Sequence, residues 1–159
     1  TVVIIGAGGK SGMLCCYEAK KRAGVTGKVI GICHSEKSTK RMLDLGFCDE
    51  VFAADATQPV PVMRKIEEMT NGQMADICIN NVNIPDTEMT SILVTKNTGI
   101  VYFFSMATSF TKAALGAEGV GSDVTMLIGN GYTKGHAEIT LQELRECEKL
   151  RKIFTELYA

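Results

Sequence analysis

At 159 residues, with 17 basic and 18 acidic side chains and a net charge of −1, the chain is the size of one domain. With no basic tract, it is not suited to bind nucleic acid or an anionic membrane surface, and no apolar run reaches the length of a membrane span. Six cysteines without a C-x-x-C pair read as reduced packing residues of a cytoplasmic protein, and the two histidines, far apart in sequence, belong to no metal-ligand pattern, so no metal is expected.

Val2 to Ile5 is an apolar strand that runs straight into Gly6-Ala7-Gly8-Gly9-Lys10-Ser11-Gly12. Glycine leaves the backbone open to a diphosphate, and the helix that follows aims unpaired N–H groups and the positive end of its dipole at the anion. The dinucleotide fingerprint G-x-G-x-x-G requires glycine where this chain has Ser11, and glycine returns at Gly12. Spaced by three, Gly6, Gly9 and Gly12 form a G-x-x-G-x-x-G variant with Gly8 as an additional small residue. Gly9-Lys10-Ser11 also looks like the end of a triphosphate loop, but that motif needs glycine at Ile4, inside the strand, and fails. A plain tight turn is the remaining alternative, and the rest of the chain decides against it only by its fold.

Gly12, Cys15, Cys16, Ala19 and Ala23 recur at helical spacing, a stripe of small side chains that lets the first helix lie close on a sheet. Lys20, Lys21 and Arg22 then complement its C-terminal dipole. Lys28 to Cys33 reads as the second strand, Ser38 to Leu45 as a short helix ended by Gly46, and Glu50 to Ala53 as the third strand. Val62 to Thr70 is the third helix, stopped by Asn71-Gly72, and Asp76 to Asn80 the fourth strand. Asp86 to Thr95 reads as helix, Gly99 to Phe104 as strand, the next stretch as a glycine-rich connection, and Val124 to Ile128 as the sixth strand. The capping-box spacing Thr140-Leu141-Gln142-Glu143 then opens one long final helix, apolar at Leu141, Leu144, Cys147 or Glu148, Leu150 and Phe154. It covers the sheet or serves an intersubunit contact. Doubly wound sheets need cover on both faces, which favours the first.

This alternation predicts an α/β Rossmann fold, a doubly wound six-stranded parallel sheet with helices on both faces. Beginning on a strand without methionine, residues 1–159 read as the dinucleotide-binding domain of a longer enzyme whose N-terminal substrate domain lies outside it.

Ligands of such sheets bind beyond the carboxyl ends of the strands. The second strand ends Ile32-Cys33-His34-Ser35, with no acid at its tip to accept from an adenine ribose; Glu36 follows. Ser35, Lys37, Lys40 and Arg41 suit a ribose phosphate, which favours NADP, while NAD stays open because Glu36 can bend back to the ribose. Asn80, Asn81 and Asn83 after the fourth strand, and Ser105 and Met106 after the fifth, could serve the nicotinamide ribose or carboxamide; the alternative is turn chemistry before Pro85 and Asp86. Gly129-Asn130-Gly131 is a turn signal near the same edge. Cys33 reads as packing rather than as a reactive thiol. Neither His34 nor His136 has a sequence partner for acid–base work, and no catalytic residue is identified. Hydride transfer needs no nucleophile, so this does not weigh against a dehydrogenase.

The glycine loop, the stretch KVIGICHSEKSTKRMLDLG and the order of later elements resemble the cofactor domain of medium-chain dehydrogenases and quinone reductases over nearly the whole chain. That resemblance implies NADP or NAD as cofactor, with Gly6, Gly8, Gly9, Lys10, Ser11 and Gly12 at the diphosphate. More closely, GAGGKSGMLCCYEAKKRAG, CINNVNIPDTEMTS, VYFFSMATSFTKAALGAEGVG and GNGYTKGHAEITLQELRE are similar to the diaminohexanoate dehydrogenases of anaerobic lysine fermentation. The resemblance implies oxidative deamination of a small amino-acid substrate, 3,5-diaminohexanoate, at carbon 3 to give 5-amino-3-oxohexanoate and ammonia. A homo-oligomer is compatible with it. The competing readings are a quinone or enoyl reductase on the same fold and a non-catalytic nucleotide-sensing module.

Overall fold

A computed structural model describes residues 1–129 and 133–159. Strands β1 (Val2–Ile5), β2 (Val29–Cys33), β3 (Glu50–Ala53), β4 (Ala75–Asn80), β5 (Thr95–Phe103) and β6 (Thr125–Ile128) form one sheet in the order β3-β2-β1-β4-β5-β6. All its pairings are parallel. Central β1 is paired on both edges, with Ile5 opposite both Ile32 and Asn80, so the strand order reverses there and the carboxyl ends of β1 and β4 splay into a crevice.

Alternation along β1 assigns its residues to opposite faces. Val3 and Ile5 join Ile30 and Ile32 in a core closed by helices α3 (Pro59–Met69) and α5 (Phe110–Gly119), through Val62, Ile66 and Ala113. On the other face Ile4, Val29 and Cys33 meet Met13 and Cys16 of α1 (Lys10–Ala23) and Met42 and Leu45 of α2 (Glu36–Leu45). The two remaining helices of that face are α6 (His136–Glu146) and α7 (Glu148–Tyr158), and α7 adds the fully buried Leu150.

The predicted fold class is the one observed, with several boundaries moved for identifiable reasons. Helix α2 begins at Glu36 rather than Ser38 because Ser35 caps it: the Ser35 Oγ accepts from the Ser38 N–H and the Ser38 Oγ accepts from the Ser35 N–H, each at 3.3 Å. Pro59 opens α3, where its missing N–H costs nothing. Helix α4 is only Glu88–Leu93, because Asp86 takes a left-handed φ of 68° before it and Thr95 already belongs to β5. The glycine-rich connection holds a helix, α5, capped by the Ser109 Oγ, which accepts from the Lys112 N–H. Gly116 read as a loop residue, but it is where α5 crosses α4 closely: a Cβ there would lie 2.5 Å from the Met89 sulfur.

The single long final helix is two helices, broken at Cys147, whose φ of −110° and ψ of 103° are extended. Thr140 does not start a helix; it lies inside α6, with its Oγ1 donating to the His136 carbonyl at 3.0 Å. Leu141 is 48% exposed and so leaves the apolar face, while Leu144, Cys147, Leu150 and Phe154 remain on it.

Candidate functional site

The crevice begins with the loop that β1 feeds. Gly6 turns the chain with a φ of 81°, and the N–H groups of Gly6 and Ala7 both donate to the Ile32 carbonyl, at 2.9 and 3.0 Å, which staples the loop to β2. The Gly9 N–H donates back to the Gly6 carbonyl at 3.0 Å, closing the turn just before α1. A Cβ on Gly12 would sit 2.0 Å from the Gly6 carbonyl oxygen, so helix and loop are in direct backbone contact. Gly8 is closed by Ser38, at 2.7 Å from such a Cβ. Gly9 is different: its one close neighbour is the Gly6 oxygen at 3.3 Å, and with Lys10 it is exposed. The inward glycines thus set the shape, and Gly9 leaves an open cradle over the first turn of α1, whose N–H groups have no intrahelical partner. That cradle, with no acidic residue in the first turn, fits a dinucleotide diphosphate.

Towards β2 and β3, His34 lines a cleft of about 350 Å³ together with Gly6, Asp55, Thr57, Val82 and Ile84. Asp55 went unnoticed in the sequence, where it is one acid after a short strand. Hydrogen bonds from the Thr57 hydroxyl and N–H, at 2.7 and 2.9 Å, hold its carboxyl below the usual range, so it presents a fixed charge here. Ser35 is committed to capping α2, whereas Lys37 and Lys40 are exposed. Arg41 reaches back, its Nη1 donating to the Gly8 carbonyl at 3.3 Å, and ties α2 to the glycine loop.

The asparagines after β4 divide. Asn80 is fully buried: its amide donates to Thr87 Oγ1 and Ser91 Oγ, both at 2.9 Å, and its Oδ1 accepts from the Val82 N–H at 3.1 Å. It therefore shapes the turn and faces α4 rather than the crevice. Asn83 and Ser105 do meet at the crevice edge, the serine hydroxyl donating to Asn83 Oδ1 at 3.1 Å and so linking the loops after β4 and β5. Asn81 points to the α1 face, where its Oδ1 accepts from the Cys15 thiol at 3.8 Å and its Nδ2 is buried with no partner. Gly129 donates to the Phe103 carbonyl at 3.0 Å, while Asn130 and Gly131 lie outside the described residues.

Asn81 borders a cavity of about 790 Å³ between α1, α6 and the face of β4 and β5, walled by Ile77, Ile79, Tyr102 and Phe104. Glu143 of α6 also lines it, 4% exposed and with Oε2 unpartnered. Burial, then the neighbouring Glu18 and Glu146, push its carboxyl up to about 7 against the pull of Lys21 and Arg22. Because the folded value lies above the unfolded one near 4.5, the folded state holds the proton longer. Stability should fall as pH rises from about 4.5 to 7 and then level off, by about 1–2 kcal/mol once screening by solvent in the cavity is allowed for. Chemical denaturation across that range should show the fall in the natural chain and a flatter profile in Glu143→Gln; an unchanged slope in the variant would remove Glu143 as the cause.

Burial raises the Cys33 thiol as well, consistent with packing. Among the described residues, no group of three or more His, Cys, Asp or Glu side chains is placed to hold a metal ion. Nor is any described helix long and apolar enough to cross a membrane.

The family model for zinc-binding dehydrogenases matches residues 12–132. L-erythro-3,5-diaminohexanoate dehydrogenase of Acetoanaerobium sticklandii is 61% identical over 158 residues, and its counterpart in Fusobacterium nucleatum subsp. nucleatum 54% over 158. Each alignment covers 99% of this chain and 46% of the relative, so the chain spans about half the length of the curated relatives it matches. Among solved structures, the zinc-dependent alcohol dehydrogenase 2 from Streptococcus pneumonia superposes with a TM-score of 0.68 at 19% identity, over 92% of this chain and 40% of that one. That likeness concerns the fold.

Proposed function

Since this chain belongs to the zinc-binding dehydrogenase family, we propose that it is the dinucleotide-binding part of an NAD(P)-dependent dehydrogenase that oxidatively deaminates 3,5-diaminohexanoate. The observation that carries the reading is identity above half, sustained over 158 residues, to two enzymes of that name. When bound, the nicotinamide takes the hydride from the amine-bearing carbon. In the reading proposed here, this chain's residues bind and orient: Gly9, Lys10, Ser11 and the first turn of α1 hold the diphosphate, and the cleft at His34 and Asp55 takes the adenosine end. Asn83 and Ser105 border the nicotinamide side. Gly6, Gly8 and Gly12 act from behind, by setting the loop.

The substrate pocket belongs to polypeptide beyond these residues. Two features support that: the relatives are about twice as long, and one apolar sheet face, at Ile79, Tyr102 and Phe104, borders a large cavity with Asn81 Nδ2 unsatisfied. A homo-oligomer is part of the same reading, supported by β6, an edge strand that exposes its own Leu127, with the exposed Phe104 following the neighbouring β5. So is a cytoplasmic location, supported by six free cysteines.

The deciding experiment is nucleotide reduction by the full-length enzyme with 3,5-diaminohexanoate, set against turnover of quinones and enones. Amine-dependent reduction is expected; quinone or enone turnover alone would transfer the chain to the reductases.

NADP is the preferred cofactor in this reading, because Lys37 and Lys40 are exposed beside Arg41 and no acid stands at the tip of β2. Replacing Lys40 and Arg41 by alanine should weaken NADPH about tenfold. NADH should lose only about two- to threefold, the share due to the Arg41 bond to Gly8. Calorimetry with both nucleotides checks this, and equal losses would remove the ribose-phosphate role.

A further inference from the structure

Lys10 is the first residue of α1, immediately after Gly9, and stands exposed at the mouth of the glycine loop. Its ammonium is nevertheless held. Nζ lies 4.4 Å from the centroid of the Tyr158 ring, at the end of α7 and 148 positions along the chain. Tyr158 is supported in turn: Phe154 meets it edge-on, with centroids 5.3 Å apart and planes at 74°. One turn further down, Leu150 is fully buried, and Ile153 and Phe154 pack on the same core, against α1 and α2. The aromatic pair is thus anchored to the layer that carries the loop.

We propose that Tyr158 is a positioning residue for nucleotide binding, its ring restraining the Lys10 ammonium at the phosphate-binding end of α1. Helix α7, which follows all six strands, thereby becomes an element of the diphosphate site. The proposal rests on the dinucleotide reading above. A lysine head on four methylenes loses considerable freedom when it pairs with an anion, and a ring face that already confines it reduces that loss. The same helix also presents Lys149 and Lys152 across a groove from Lys37, Lys40 and Arg41, with Asp44 and Glu156 as the acids in that groove. The excess of cations adds to the positive field around the loop.

A double-mutant cycle tests this, with NADPH and inorganic pyrophosphate as separate probes in titration calorimetry and thermal melts to confirm folding. Lys10→Met should weaken both probes about tenfold, the scale of one charge-assisted contact. Tyr158→Leu should weaken both about two- to fivefold, the scale of one exposed cation–π contact, and should add nothing in the Lys10→Met background. Tyr158→Phe keeps a ring face and should bind like the natural chain.

Tyr158→Leu losing as much without Lys10 as with it, or losing nothing, would overturn the proposal, as would Tyr158→Phe failing like leucine. A chain that binds pyrophosphate but not NADPH would sink the dinucleotide reading, while the cycle run on pyrophosphate would still decide the role of Tyr158. Failure to bind either probe would overturn both.

Discussion

Gly12→Ala is expected to lower the melting temperature by roughly 6–12 °C and to abolish measurable nucleotide binding, although only one methyl group is added. The added carbon would stand 2.0 Å from the Gly6 carbonyl oxygen and 2.8 Å from the Ala7 Cα, both backbone atoms that no rotamer change can move. Relief requires lifting α1 off the loop. That would disturb the Gly6 and Ala7 bonds to Ile32 and the burial of Met13 and Cys16 beneath the helix. Overpacking of a filled core costs about 1–3 kcal/mol, and a backbone collision belongs at or above the top of that range. Thermal denaturation of the natural chain and the variant is the check; a loss below about 1 kcal/mol would mean that helix and loop do not touch as described.

Gly9→Val should do the reverse. Its Cβ would meet only the Gly6 oxygen, at 3.3 Å, and its φ of −84° and ψ of 173° suit a β-branched residue. The fold should survive, with a melting point within about 4 °C of the natural chain, the allowance covering a poorer helix cap. Nucleotide affinity should nevertheless fall about 100-fold or more, because the isopropyl group occupies the cradle in which a diphosphate meets the α1 N–H groups, each such bond to a charged group being worth about 1.5–3 kcal/mol. Calorimetry with NADPH checks it. Retained affinity would move the phosphates elsewhere. Three residues apart in one motif, the two glycines thus separate architecture from recognition.

The sequence shows the motif but not this division of labour. Glycine spacing, alternation and the apolar runs of β1 and β2 are local patterns, and they lead to the doubly wound six-stranded parallel sheet and to the glycine loop after its first strand, while the strand order comes from the structure. What escapes local reading depends on contacts distant in sequence. Helix α5 looked like a loop because nothing local shows that Gly116 is a packing residue against Met89, and Asn80 looked like a crevice residue because nothing local shows that Thr87 and Ser91 would turn its amide inward. The break at Cys147 carries no glycine or proline, so no local signal marks it, and the apolar spacing of Leu144, Cys147, Leu150 and Phe154 runs through it. Asp55 and Tyr158 carry no motif at all and gain meaning only from what the fold sets beside them.

Central β1 also has a consequence for how the chain is made. Its pairing with β2 joins residues 27 positions apart, Val2 with Val29, whereas its other edge must wait for β4, where Val2 meets Ile77 across 75 positions. Closing the longer span costs more chain entropy and comes later, both in refolding and during vector synthesis. Until β4 arrives, this fully apolar strand has one edge unpaired, the kind of exposed edge through which partly folded chains associate.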